Sequence, residues 1–317
     1  MDLKIAIVTD NVLDDYKKRM LDGIKGALEK RYEVGVVPFN EDFMKNVRGY
    51  DLAFNMATGG GKDTRQIHAT AVLDFLGIPY TTASAYTHAI CMDKSVTKSI
   101  LMKHGFGTAN FIVVLPGEKP PKDHGLNYPL IVKLAREGSS KGLRKESVVH
   151  NYEELLEAVK WAQESFNEEL VVEEFIDGVE ITVGMLESEG GIEVLPIPEI
   201  SFEKLPEGFE RFQTDRVKNN PEYYKYLEYI FPARLPDDVM ERIREDAKRI
   251  FRVLRLRDYG RIDMRVKDGE YYVLEVNSLP LLVPGYSDIP KAAAQAGMSY
   301  DEVIYRIVDS ARRRYGI

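Results

Sequence analysis

The amino-terminal part of the chain alternates short apolar runs with amphipathic stretches, and no other feature narrows the fold as much. Lys4 to Thr9 reads as a buried strand. The segment from about Asp14 to Lys30 reads as a helix with Leu21, Ile24, Ala27 and Leu28 on one side, and Tyr32 to Pro38 as a second strand. Asp51 to Asn55 is another apolar run, leading into Thr58-Gly59-Gly60-Gly61, a helix ending near Gly77, and a strand entering at Ile78-Pro79-Tyr80. Strands and helices in this alternation imply a small parallel sheet, which forms a first lobe.

From about Asp93 a short helix leads to Gly105, and residues 116–129 are rich in turn formers. Pro129 to Lys133 reads as a strand opening a second lobe, followed by Asn151 as an N-cap, a helix from Tyr152 to Phe166, and a strand from Leu170 to Phe175. Ile181 to Leu186 and Ile192 to Ile197 form a hairpin across Glu189-Gly190-Gly191. Leu205 to Phe231 is long, polar and tyrosine-rich without clean periodicity, which marks it as a candidate lid. A helix from Asp237 to Leu254 precedes strands at Tyr259 to Val266 and Glu270 to Val276, joined at Lys267-Asp268-Gly269, and a helix from Asp301 to Arg314 ends the chain.

With 317 residues the chain exceeds one ordinary core, and three small lobes are expected, at 1–92, 93–187 and 188–317. A formal net charge of -8 argues against broad nucleic-acid binding, which needs a positive face. The apolar start ends at Asp10, too soon for a signal h-region or a membrane span, so a cytoplasmic protein with no membrane partner is expected. The lone Cys91 excludes an internal disulfide and reads as a small buried hydrophobe.

Three constellations carry chemistry. In Gly260-Arg261-Ile262-Asp263 and Leu274-Glu275-Val276-Asn277, Glu275 and Asn277 are two apart on a strand and share a face, where Asp263 joins them across the turn. Two carboxylates and an amide make an oxygen set suited to Mg²⁺. Taken alone, the two acids read more simply as outward positions of a solvated hairpin. Arg261 on the face of Asp263 weakens that simpler reading, because a cation beside metal-bound carboxylates is what a phosphoryl transition state needs. The second constellation is a strand that empties from Lys133 into Glu137-Gly138-Ser139-Ser140-Lys141-Gly142, where small residues let backbone N–H groups approach phosphate. It is not a Walker A sequence, and alone it reads as a hairpin turn. In the third, Val171 to Glu180, an apolar strand ends in Glu173 and Glu174. Phe175 and Ile176 could wall an adenine there, though a strand leaving the core into a charged turn fits the segment equally well.

Together these segments resemble the ATP-grasp superfamily, and most closely the D-alanine:D-alanine ligases. Leu76-Gly77-Ile78-Pro79-Tyr80-Thr81, Met92-Asp93-Lys94, Ser278-Leu279-Pro280 and Ala293-Ala294-Gln295-Ala296-Gly297-Met298-Ser299 extend the likeness over nearly the whole chain. The resemblance implies an α/β (α+β) ATP-grasp fold: a parallel N-terminal lobe on the substrate side, then a central and a C-terminal α+β lobe with ATP between them. It implies an ADP-forming carboxylate-amine ligase, commonly a homodimer, using ATP with Mg²⁺ or alternatively Mn²⁺ and passing through an acyl phosphate that a lid shields from water. Lys94 and Lys133 match the lysines that hold the phosphates, Ser139 the phosphate-side loop, Glu173 to Ile176 the adenine linker and Glu180 the ribose ligand. Asp263, Glu275 and Asn277 match the magnesium ligands, Arg261 the arginine on the transferring group, Ser140 the ordering loop serine, and Lys218 the lid lysine.

Departures gather in the substrate region. The family's His-Gly-x-x-Gly-Glu-Asp-Gly run is here Ala57-Thr58-Gly59-Gly60-Gly61-Lys62-Asp63-Thr64, and its Gly-Gly turn is Asp10-Asn11. Lys17 falls about where the family has the glutamate that binds the first substrate's ammonium, which points to an anionic group or no amine there, unless Asp14 or Asp15 takes the place. Leu281 to Tyr286 replaces Gly-Met-Thr, and Ser287 matches the substrate-carboxylate serine if one residue is inserted. Three readings follow: a ligase for substrates other than D-alanine, a true D-alanine:D-alanine ligase, and an ATP-binding protein without ligase activity.

Overall fold

The computed structural model describes residues 3–59, 65–138 and 140–317. The first lobe is built from β1 (Lys4–Asp10), α1 (Asp15–Leu28), β2 (Glu33–Phe39), α2 (Phe43–Asn46), β3 (Leu52–Asn55) and α3 (Ile67–Leu76). β1 runs parallel to β2 on one side and to β3 on the other. Both faces of β1 are covered: Ile5 and Ile7 join one core with Ile24 and Leu28 of α1, while Ala6 and Val8 join another with Phe43, Leu73 and Tyr80. Burial on both sides is why this run is apolar throughout instead of alternating. Gly77 ends α3 with φ 67°, a left-handed cap. The strand expected at Ile78-Pro79-Tyr80 reduces to one bridge between Ala53 and Tyr80, since Pro79 has no N–H to give a ladder.

α4 (Ala85–Met92) and α5 (Lys94–Lys103) follow, capped by the side chains of Ser84 and Asp93. The second sheet contains β4 (Phe111–Val114), β5 (Leu130–Leu134), β6 (Val148–Val149) and, after α6 (Tyr152–Phe166), β7 (Leu170–Glu174), in the order β4-β7-β5-β6. Asn151 caps α6 as the sequence suggests, and Leu155, Ala158, Val159 and Ala162 bury its inner face.

The third sheet has the order β11-β10-β8-β12-β13, with β9 also on β8. Its strands are β8 (Val179–Ser188), β9 (Gly191–Val194), β10 (Glu199–Ser201), β11 (Glu228–Ile230), β12 (Tyr259–Lys267) and β13 (Glu270–Asn277). The helices α7 (Asp215–Asn219), α8 (Pro221–Tyr224), α9 (Asp237–Val253), α10 (Asp288–Gln295) and α11 (Tyr300–Tyr315) complete the chain. A division at 187 falls within this sheet, because β8 pairs with β12 from Val179 to Leu186. α9 buries Val239, Ile243, Ala247 and Ile250 in the core beneath the sheet. α11 closes the first core, its Ile304, Ile307 and Val308 clustering with Ile5, Ile7 and Ile24.

Candidate functional site

The β12–β13 hairpin turns on Asp268 and Gly269, both with positive φ (52° and 77°), the two-residue geometry that sets cross-strand register. That register runs from Lys267 opposite Glu270 to Met264 opposite Val273, and a one-residue shift between Met264 and Asp263 then places Asp263 opposite Glu275 and Arg261 opposite Asn277. The Asn277 amide nitrogen lies 3.2 Å from Asp263 Oδ2 and 3.1 Å from Glu275 Oε1, so the three side chains share one face. Arg261 donates to Asp263 from Nε at 2.9 Å and Nη2 at 2.7 Å, and Thr182 Oγ donates to the same carboxylate at 2.7 Å. Burial alone would raise the Asp263 carboxyl, but the Arg261 guanidinium outweighs it and holds the group below the ordinary value. Among the described residues no three His, Cys, Asp or Glu side chains gather as a metal cage. Two acids and an amide instead make a partial oxygen set of the kind that would suit Mg²⁺ together with phosphate and water. A bulge makes Leu274 the extra residue of β13, so Leu274 and Glu275, though consecutive, both line the cleft beside the hairpin.

Lysines stand across from this face. Lys94, the first residue of α5, donates to the Glu137 carbonyl at 2.5 Å and lies 3.9 Å from Glu275 Oε2; its burial lowers the ammonium pKa. Lys133 on β5 is ion-paired with Glu173 on β7, whose second oxygen is 2.9 Å from the ammonium of Lys98. Burial would raise the Glu173 carboxyl, yet the two lysines bring it down to about 2. Lys98 was not foreseen. It lies one helical turn after Lys94 on the same face of α5, is almost wholly buried, and donates to Thr108 Oγ at 2.6 Å.

Between the second and third sheets lies a cleft of about 100 Å³ lined by Ile131, Leu134, Phe175, Ile176, Ile181 and Leu274, with Lys94, Lys133, Glu180 and Lys218 at its polar side. The linker that walls it is pressed against β12: a Cβ at Gly178 would sit 2.3 Å from the Val266 carbonyl oxygen. Glu180 accepts from Gln213 at 2.8 Å and pairs with Arg265 at 2.9 Å. Arg265 also donates to the Ile176 carbonyl at 2.7 Å, fixing the linker, and its guanidinium lies 5.1 Å from the centre of the Phe175 ring. Its signal was the two-residue spacing from Asp263. Glu174 stays out of the cleft, its carboxylate taken by Asn127 and Asn110. Ser140 lines the cleft with φ 59°, whereas Ser139 lies outside the described residues.

The cleft adjoins a larger cavity of about 560 Å³ reaching the carboxyl ends of the first lobe's strands, and Lys94, Lys218, Asp263 and Glu275 line both. Lys17 lines its far side, but its ammonium is already bonded to Asp10 Oδ2 at 2.5 Å and Thr58 Oγ at 2.7 Å. Gly60 to Thr64 lie outside the described residues. Ser287, the N-cap of α10, lines the cavity while its Oγ accepts from the Val283 N–H at 3.0 Å. Two further residues escaped the sequence reading: Asp288, 3.1 Å from Arg261 Nη1, and Tyr229, which donates to Asp288 at 2.8 Å. The 205–231 segment is seated here, with Val217 fully buried and Lys218 facing the cavity.

A sequence model described as "D-ala D-ala ligase C-terminus" matches residues 100–309. A D-alanine--D-alanine ligase of Thermotoga maritima is 32% identical over 323 residues, covering 99% of both chains. One from Syntrophotalea carbinolica is 33% identical, covering 98% of this chain and 97% of that one. The crystal structure of the D-alanine--D-alanine ligase from Bacillus anthracis complexed with ATP superposes with a TM-score of 0.78 at 27% identity, covering 99% of each chain. The ATP-grasp architecture, the carboxylate hairpin facing a lysine pair, and likeness over the full length agree, and the chain belongs to the D-alanine–D-alanine ligase family of ADP-forming C–N ligases.

Proposed function

We propose that this protein joins a carboxylate to an amine through an acyl phosphate, using ATP and Mg²⁺, and that its carboxylate substrate is not D-alanine. The observation that carries this reading is the convergence of Asp263, Glu275 and Asn277 on one face, with Arg261 among them and Lys94 alongside. Asp263, Glu275 and Asn277 hold the metal, which when bound supplies positive charge to the phosphate oxygens. Lys94 and Lys133 hold those oxygens, Glu173 fixes Lys133, Ser140 sits on the phosphate-side loop, and Ser139, next to it in sequence, is assigned to the same phosphates. Phe175, Ile176 and Leu274 pack on the base and Glu180 meets the ribose. Arg261 stabilises charge on the transferring group, and Lys218 adds a cation from a segment that excludes water from the acyl phosphate. Ser287 receives a substrate carboxylate at the start of α10.

The departure from D-alanine rests on Lys17. Asp10 is saturated by Lys17, Thr58 and the Gly59 N–H, and Asp14, which lines the same end of the cavity, accepts the Lys17 backbone N–H at 2.8 Å, so a cation stands here where an ammonium would need an unpaired carboxylate. The three lobes at 1–92, 93–187 and 188–317, adjusted so that β8 goes with the last, are part of the same reading. So are a cytoplasmic location and a homodimer, which fractionation and light scattering check. The decisive measurement is ADP release from Mg-ATP across a panel of amino acids and small carboxylates. Turnover is expected with an acid other than D-alanine, and Asp263→Ala or Glu275→Ala abolishes it. Release dependent on D-alanine alone would make this a D-alanine:D-alanine ligase, and nucleotide binding with no turnover would make it a binding module.

A further inference from the structure

Asp263 carries more bonds than a metal ligand can keep. It accepts Arg261 Nε and Nη2, Thr182 Oγ and Asn277 Nδ2 at 2.7 to 3.2 Å, which fills the lone-pair directions of a carboxylate. A cation taking Asp263 as a ligand therefore displaces guanidinium N–H groups from it. Arg261 has a second anchor that lies outside the metal set: Asp288, at 3.1 Å from Nη1. Asp288 is itself held. Its other oxygen accepts the Tyr229 hydroxyl at 2.8 Å, and burial, with Asp288 beside it, keeps that phenol protonated and therefore a donor. Behind Tyr229, Tyr224 OH lies 3.3 Å from Tyr229 OH, and Lys291 donates to Tyr224 at 3.1 Å, so the bonds run in one direction from Lys291 to Asp288. Tyr224 and Tyr229 belong to the 205–231 segment, so the anchor is complete only when that segment is seated.

We infer that Asp288, fixed by Tyr229, is a positioning residue that keeps Arg261 at the reacting phosphoryl group when Asp263 turns to the metal. This rests on the ligase reading of the site. Without the anchor, Arg261 stays on Asp263 and competes with the metal for its oxygens. The consequence is a defect in how magnesium supports nucleotide binding, visible without any turnover.

The test is ATP binding by calorimetry, without Mg²⁺ and across a Mg²⁺ titration, on the full-length protein and its Asp288→Asn and Tyr229→Phe variants. Metal-free ATP affinity is expected to stay unchanged. The Mg²⁺ concentration giving half-maximal enhancement should rise about tenfold in Asp288→Asn, the factor a charge-assisted hydrogen bond supplies at the low end of its range, and less in Tyr229→Phe. Tyr229→Phe alters no charge, so its effect separates anchoring from bulk electrostatics. In an Arg261→Ala background, Asp288→Asn should add nothing. An unchanged magnesium dependence in both variants, or an equal effect with Arg261 absent, overturns the inference while leaving the ligase reading intact. Failure of the unmodified protein to bind ATP with or without Mg²⁺ overturns both.

Discussion

Glu173 balances two ammonium groups on one carboxylate while almost wholly shielded from water, and Lys98 is as deeply buried as the acid. Removing the acid's charge leaves a buried cation with the Thr108 hydroxyl at 2.6 Å and the Phe111 ring at 5.7 Å but without its anionic partner. Glu173→Gln is therefore expected to lower stability by about 3–5 kcal/mol, read from urea unfolding at pH 7. The pH dependence has a defined sense. The Glu173 carboxyl is near 2 in the folded protein and 4.5 in ordinary surroundings, so its contribution is fully present above about 4.5 and fades as pH falls towards 2. In Glu173→Gln that part of the acid loss should be missing. Lys98 itself was readable only as a lysine one turn after Lys94, and nothing in the sequence says it is buried. Glu174 shows the converse limit: two adjacent acids on a strand point to opposite sides, and only Glu173 faces the lysines. Lys17 lines the cavity, but its partner Asp10 is brought to it by the end of a parallel strand that no local spacing announces.

At the level of elements, the β12–β13 hairpin was the most legible part of the chain, for a physical reason. Asp268-Gly269 permits the positive φ values of a tight turn, the turn fixes register as far as Met264 opposite Val273, and a one-residue bulge beyond it brings Asp263 onto the face of Glu275 and Asn277. The bulge at Leu274 was not legible, because an extra residue leaves the apolar pattern of a strand intact. It adds an aliphatic side chain to the cleft next to Glu275. Leu274→Ala is expected to raise the KM for ATP by about tenfold with little change in kcat, as when an apolar contact worth about 1–3 kcal/mol is lost; steady-state kinetics checks the split. β4 escaped because its four residues, Phe111–Val114, are too few to show a strand period, and α4 because, with little amphipathic contrast, it abuts α5 at Asp93. The 205–231 segment has no period of its own since its short helices are placed by tertiary contacts of Phe212, Val217 and Leu227.

Across the whole molecule, β8, β12 and α11 connect sheets that would otherwise be separate. Leu186 and Tyr259 from the third sheet share a core with Ile5 and Ile7 of β1, and α11 supplies Val303, Ile304, Ile307, Val308 and Ala311 to it. Buried Asp258 adds a polar tie, accepting the Thr82 N–H at 2.7 Å and pairing with Arg314, which also donates to the Tyr80 carbonyl at 2.7 Å. A chain cut before Tyr300 loses one wall of that core along with the Arg314 tie. It is expected to lose native structure, which limited proteolysis beside the full-length protein checks. α11 also bears on biosynthesis. β1 is synthesised well before its hydrophobic partners in α11, so the core they share closes only after α11 has been made.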